Sequence, residues 1–143
     1  MKEKINRALD FLYDNLGMAI YVAAWIVMIW YFWAKVSGSD AFGYGLFTMY
    51  LIWPLCSLAV TLYYGLGERK LKYYLPVICG VFEVLIQICT FDLSNRLSVG
   101  KWDLPDWSDL QLSLYSFIPA LVGLGIGSLI RYLRKRMMVR KEL

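Results

Sequence analysis

With 143 residues the chain has room for one domain, and 59% hydrophobic against 18% charged residues exceeds the apolar content of a soluble globular domain. Histidine is absent, which removes the commonest general base and the commonest metal ligand together, so neither an enzyme nor a metal or other cofactor is expected. The net charge of +4 does not point to nucleic acid, because the basic residues gather beside apolar stretches, where lipid headgroups are the natural counterions.

The first segment, 2–16, places Ile5, Leu9, Leu12 and Leu16 on one helical face and Lys2, Arg7, Asp10 and Asp14 opposite them, the pattern of a short amphipathic helix. It is expected either to lie on the membrane surface or to extend the first span as a solvated helix. That span, 17–34, has eighteen residues without a charge, enough to cross about 30 Å of hydrocarbon, and Trp30, Tyr31 and Trp33 mark its outer interface. It is too long for a signal-peptide core and reads as a retained anchor.

The second span, 41–67, is uncharged over twenty-seven residues, which implies tilt or a kink, and Pro54 supplies the kink. Its stripe of Tyr50, Pro54, Ser57, Thr61 and Tyr64 is the natural partner for a polar face elsewhere. The basic turn 67–72 makes the second and third spans antiparallel neighbours.

The third span, 73–91, carries the one feature around which a function can be built, the carboxyl of Glu83 near its middle. An acidic side chain at a span centre costs roughly 2.5 to 3.5 kcal/mol, so it faces something other than lipid. Read at helical period, Pro76, Cys79, Gly80, Gln87 and Thr90 share its face. Two readings stand side by side: a protonated Glu83 that hydrogen-bonds a neighbouring helix, or a cavity-lining Glu83 that binds a proton or cation, with Gln87, Thr90, Ser57 and Thr61 along the same ion or substrate path. The three cysteines, Cys56, Cys79 and Cys89, all lie in apolar spans, and Cys79 and Cys89 stand about 15 Å apart along one helix, so no disulfide framework is implied.

The connection from 92 to 109 reads as the longest loop; Asp103, Asp106 and Asp109 lack calcium-loop spacing, and Pro105 with Asp106 or Ser108 reads as the start of the next helix. Trp102 and Trp107 are expected at the outer interface. The fourth span, 110–130, repeats Ser116, Ala120, Gly123 and Gly127 on one face, a pattern for close helix packing inside the chain or between copies, with Gly125 adding flexibility. The tail from 131 to 143 is basic, with Arg131, Arg134, Lys135 and Arg136 expected to contact lipid headgroups.

Counted by side, the N-terminus, the 67–72 turn and the tail hold twelve Lys and Arg, against Lys35, Arg96 and Lys101 on the other side. By the positive-inside rule both termini are cytoplasmic, in a membrane expected to be the bacterial cytoplasmic one. The chain is thus expected to be a single all-α integral membrane domain of four transmembrane helices preceded by a short amphipathic helix. Its size resembles that of small multidrug exporters and fluoride channels. The exporters' glutamate, however, lies in the first span, and the Gly123 to Tyr132 run, similar to a fluoride-channel opening helix, here closes the chain, so no family follows.

Three functions remain on these residues. The first is a homo-oligomeric channel-like or transport protein with the Glu83 face lining a path. The second is a non-catalytic accessory or scaffold subunit bound to a larger membrane partner, and the third is a holin-like membrane-perturbing effector.

Overall fold

The computed structural model describes residues 2–68, 70–100 and 107–141, and every described element is helical. Four helical stretches are long and apolar enough to cross a membrane: Asn15–Lys35, Ala41–Leu66, Leu75–Val99 and Leu110–Arg140.

The first helix, α1, runs unbroken over Lys2–Lys35, so of the two expected arrangements the chain adopts the continuous one: the amphipathic stretch begins the first long apolar helix and is not a separate element. Gly17, the residue at which the chain could have turned, serves a close approach instead: a Cβ there would meet the Tyr64 ring at 2.8 Å. The second span is built in three pieces, α2 (Ala41–Phe47), a π-helical turn (Thr48–Ile52) and α3 (Trp53–Leu66). Pro54 explains the division. Proline has no N–H for the carbonyl four residues back, and the helix widens just before it, with the Trp53 N–H reaching back to the Thr48 carbonyl.

A 3₁₀ turn (Lys70–Tyr73) leads into α4 (Leu75–Gln87), which starts two residues later than the sequence pattern suggests, with Pro76 in its first turn. A second π turn (Ile88–Asp92) joins α4 to α5 (Leu93–Val99), so the expected loop after residue 91 begins as helix. Nothing in 92–99 breaks a helix, and the chain stops only at Gly100, whose φ of +73° suits glycine. Trp102, Asp103, Pro105 and Asp106, and the side chains of Ser108 and Asp109, lie outside the described residues. The last helix, α6 (Trp107–Lys141), passes through Pro119 and carries the basic tail as helix to Lys141.

Successive spans alternate in direction. α3 and α6 therefore run parallel, as the pairs Tyr50–Tyr115 and Gly65–Gly127 show. α1 and α4 do so too, through the Trp25 indole on the Phe82 carbonyl (3.2 Å) and the Trp33 indole on the Cys89 carbonyl (3.0 Å). α6 packs on α3 above all and then on α4, while α1 covers α3, α4 and the second π turn. The start of α1, the end of α6 and the Gly67 turn lie at one end of the bundle, the terminal end. The opposite one, with Lys35, Asp40 and Gly100, is the loop end.

The small-residue face of α6 is used inside the chain. A Cβ on Gly123 would come within 2.4 Å of the Leu58 carbonyl oxygen and the Thr61 hydroxyl, and one on Gly127 within 2.6 Å of the Leu62 carbonyl oxygen. Ala120 and Ser116 are fully buried on the same face. Of the two uses that the pattern allowed, the described chain adopts packing against α3, whereas Gly125 faces open space.

Candidate functional site

Each of the four long apolar stretches sends at least one polar side chain to a layer in the middle of the bundle. From α4, Glu83 is buried to 1% exposure, and its Oε2 accepts a hydrogen bond from the Ser116 hydroxyl of α6. Its Oε1 is also buried and, among the described residues, has no hydrogen-bond partner. One turn earlier on α4, the Cys79 thiol lies against the hydroxyls of Tyr21 and Ser57 and within electrostatic reach of Glu83. Tyr21 from α1 and Ser57 from α3 share a hydrogen bond of 3.0 Å. Trp53 caps the layer, its ring 4.5 Å from that of Tyr21, with an indole N–H that is fully buried and likewise has no partner among the described residues.

The local reasons are simple. Glu83, Cys79 and Gly80 share one helical face, and Gly80 lets α6 approach until a Cβ there would stand 3.3 Å from the Ser113 carbonyl oxygen. That proximity brings Ser116 onto the carboxyl. On α1, Gly17 and Tyr21 are one turn apart, so the contact that seats α1 on Tyr64 also aims Tyr21 at Ser57.

Of the expected path residues, Glu83 and Ser57 enter this layer. Thr61 is buried one turn along α3, with its hydroxyl donating to the Ser57 carbonyl at 2.7 Å. Thr90 is buried in the second π turn and donates to the Ile86 carbonyl at 2.7 Å. Because α3 and α4 are antiparallel, Thr61 stands about 6 Å from the layer toward the terminal end and Thr90 about 10 Å toward the loop end. Gln87 is half-buried between the layer and Thr90. The stripe expected to face Glu83 divides: Ser57 and Tyr64 bond to α1, Thr61 faces Gly123, and Tyr50 meets Tyr115 edge-on.

Cys79 lies on the Glu83 face as its spacing predicts, whereas the sequence pattern marks the carboxyl's direct partner, Ser116, only as a small packing residue and does not point to Tyr21 or Trp53. A signal was present for Trp53, which falls in mid-span at position 13 of the 41–67 stretch, far from either interface where tryptophan usually settles.

At the terminal end, Arg131 donates to the Gly67 carbonyl at 3.0 Å and to the Glu68 carboxylate, and Lys135 reaches the same carboxylate at 2.6 Å. Two of the four residues expected to contact headgroups thus also bind the α3–α4 turn, while Arg134 and Arg136 are exposed. Among the described residues no group of three His, Cys, Asp or Glu is placed to hold a metal. Compared with known protein families, curated proteins and solved structures, the chain matches none.

Proposed function

We propose that the chain is a small integral membrane protein of the transport class, in which Glu83 takes up and releases a proton or small cation at mid-membrane. One observation carries this reading: a fully buried carboxyl bonded through one oxygen only, set among hydroxyls, a thiol and an indole drawn from every span. A buried polar atom left unpaired is costly, and intramembrane carboxyls concentrate where protons or ions are handled. The apolar grooves beside the layer stop short of Glu83, reaching only Tyr21 on one side and Gly80 on the other. Access therefore needs a shift of α1 or α6, as in a gated path and not a standing pore. In the proposed orientation both termini face the cytoplasm, following the basic excess at the terminal end.

The same closure favours a second reading, a non-transporting accessory subunit in which the Ser116–Glu83 bond only joins α6 to α4. Proton flux into liposomes that contain a trapped pH-sensitive dye separates the two. The transport reading expects flux above that of protein-free vesicles in the wild type, and its loss in Glu83→Gln with unchanged elution and melting. Wild-type flux at the protein-free level, or full flux in Glu83→Gln, would overturn it.

A further inference from the structure

The grooves on the described surface differ in charge. The groove between α1 and α3 and the one between α4 and α6 have no charged residue in their linings, and the charged residues that line the one along the end of α6 are all cations. A fourth, between α1 and α2 at the loop end, is unlike these. It encloses about 580 Å³, within the range of small-molecule sites. Its walls are Val27, Met28, Phe47 and Ile52 with the rings of Tyr31 and Tyr44, and its upper rim holds one cation, Lys35, and one anion, Asp40. The two rings are stacked 6.2 Å apart, and the Tyr44 hydroxyl is tied to the Met28 carbonyl at 2.7 Å, which fixes the floor. The Ser37 hydroxyl donates to the Asp40 carboxylate at 2.7 Å and holds the anion in place. Lys35 and Asp40 are both exposed, and no ion pair joins them.

The charges sit where α1 ends and α2 begins, and Val27 lies about 12 Å deeper along α1. A ligand that satisfies the whole groove has an apolar chain and, at its top, one negative and one positive group. We propose that this groove seats one phospholipid with a zwitterionic primary-ammonium head, its phosphate on Lys35, its ammonium on Asp40 and an acyl chain along Val27 and Ile52. Asp40 decides the head. A lipid with net negative charge and no ammonium satisfies Lys35 but meets a like charge at Asp40, and a trimethylated ammonium has no hydrogen to donate to the carboxylate. The site does not depend on the role of Glu83.

Native mass spectrometry of the protein taken from mixed vesicles of phosphatidylethanolamine and phosphatidylglycerol tests this. The wild type is expected to retain one phosphatidylethanolamine per chain in preference to phosphatidylglycerol. Asp40→Asn should cut that preference by about fivefold, the scale of one exposed charge pair. Gly43→Leu should lower retention of both lipids: Gly43 lines the groove, and a Cβ there meets nothing within 4 Å, so the added side chain fills the groove without disturbing the backbone. Arg134→Gln, remote from the groove, should change nothing. Equal retention of the two lipids by the wild type, a preference for phosphatidylglycerol, or a preference that survives Asp40→Asn would overturn the assignment.

Discussion

Two stretches of α6 meet the rest of the molecule in opposite ways. Between Ser116 and Gly127 the helix lies against α3 and α4 with glycines at backbone distance and a single buried hydroxyl-to-carboxyl bond. From Arg131 to Arg140, among the described residues, it is held at its start, by Arg131 and Lys135 on the exposed carboxylate of Glu68 and by Arg131 on the Gly67 carbonyl. Each stretch is fastened by one glutamate, yet the surroundings differ: Glu83 is 1% exposed and faces a neutral partner, whereas Glu68 lies in solvent between two cations. Shape and desolvation govern the first contact. Charge governs the second, so it alone responds to salt and pH.

The largest effect expected from this difference lies in the glycines. Gly123→Ile or Gly127→Ile places a side chain where even a Cβ would stand 2.4 or 2.6 Å from backbone oxygens of α3. Because the obstacle is main chain and cannot rotate away, a loss of about 3 kcal/mol, the upper end of usual overpacking costs, is expected in thermal unfolding of the detergent-solubilised protein. Gly125→Ile, two residues from each, meets nothing within 4 Å and should melt within a degree or two of wild type, a shift within about 0.5 kcal/mol as for an ordinary surface substitution. Equal sensitivity at all three positions would dissolve the distinction between a packed and an open face of α6.

Smaller changes are expected at Glu83, and they sharpen what its bond with Ser116 is for. Glutamine keeps a carbonyl acceptor for the Ser116 hydroxyl, so Glu83→Gln should melt as wild type does. Leucine leaves that hydroxyl without its acceptor, and such bonds inside membranes are worth about 0.6 kcal/mol on average and up to about 1.7. Glu83→Leu should therefore lose stability within that range. A Leu variant more stable than wild type would mean that the carboxyl costs more than its bond returns, which is what a group retained for its chemistry predicts.

The four long apolar helices were legible because long uncharged runs admit few alternatives, and the polar face around Glu83 was legible because a lone carboxyl in an apolar helix has to be buried against polar or small groups. Helix continuity was harder to read. Amphipathic and apolar helices differ in composition and not in backbone, so the pattern allows a separate surface helix and a continuous α1 alike, and the 93–99 segment reads as loop by polarity although only Gly100 ends it. Partner choice was the least legible. Ser116 is a small residue on a glycine face and a donor at once, and which property matters depends on α6 touching α3 and α4 together, a fact of three-dimensional packing.

The smallest effect is expected at Glu68, where the sign of the pH dependence can be worked out. The Lys135 ammonium bonded to its carboxylate, with the Arg131 guanidinium beside it, holds this carboxyl below the usual glutamate range. A carboxyl with a depressed folded-state pKa contributes its stability fully above the unfolded value, about 4.3, and loses it as pH falls through the folded one. The wild type should therefore melt earlier at pH 4 than at pH 7, and Glu68→Gln should lack that part of the difference. Salt should act in the same direction: raising it from about 0.01 M to 1 M shortens the screening length from about 30 Å to about 3 Å and should bring the wild type toward the variant. Melting curves of both proteins at two pH values and two salt concentrations are enough to decide. If Glu68→Gln and the wild type respond alike, the Arg131 and Lys135 contacts add nothing to stability, and the end of α6 is held by packing at Gly127 and the Arg131 bond to the Gly67 carbonyl.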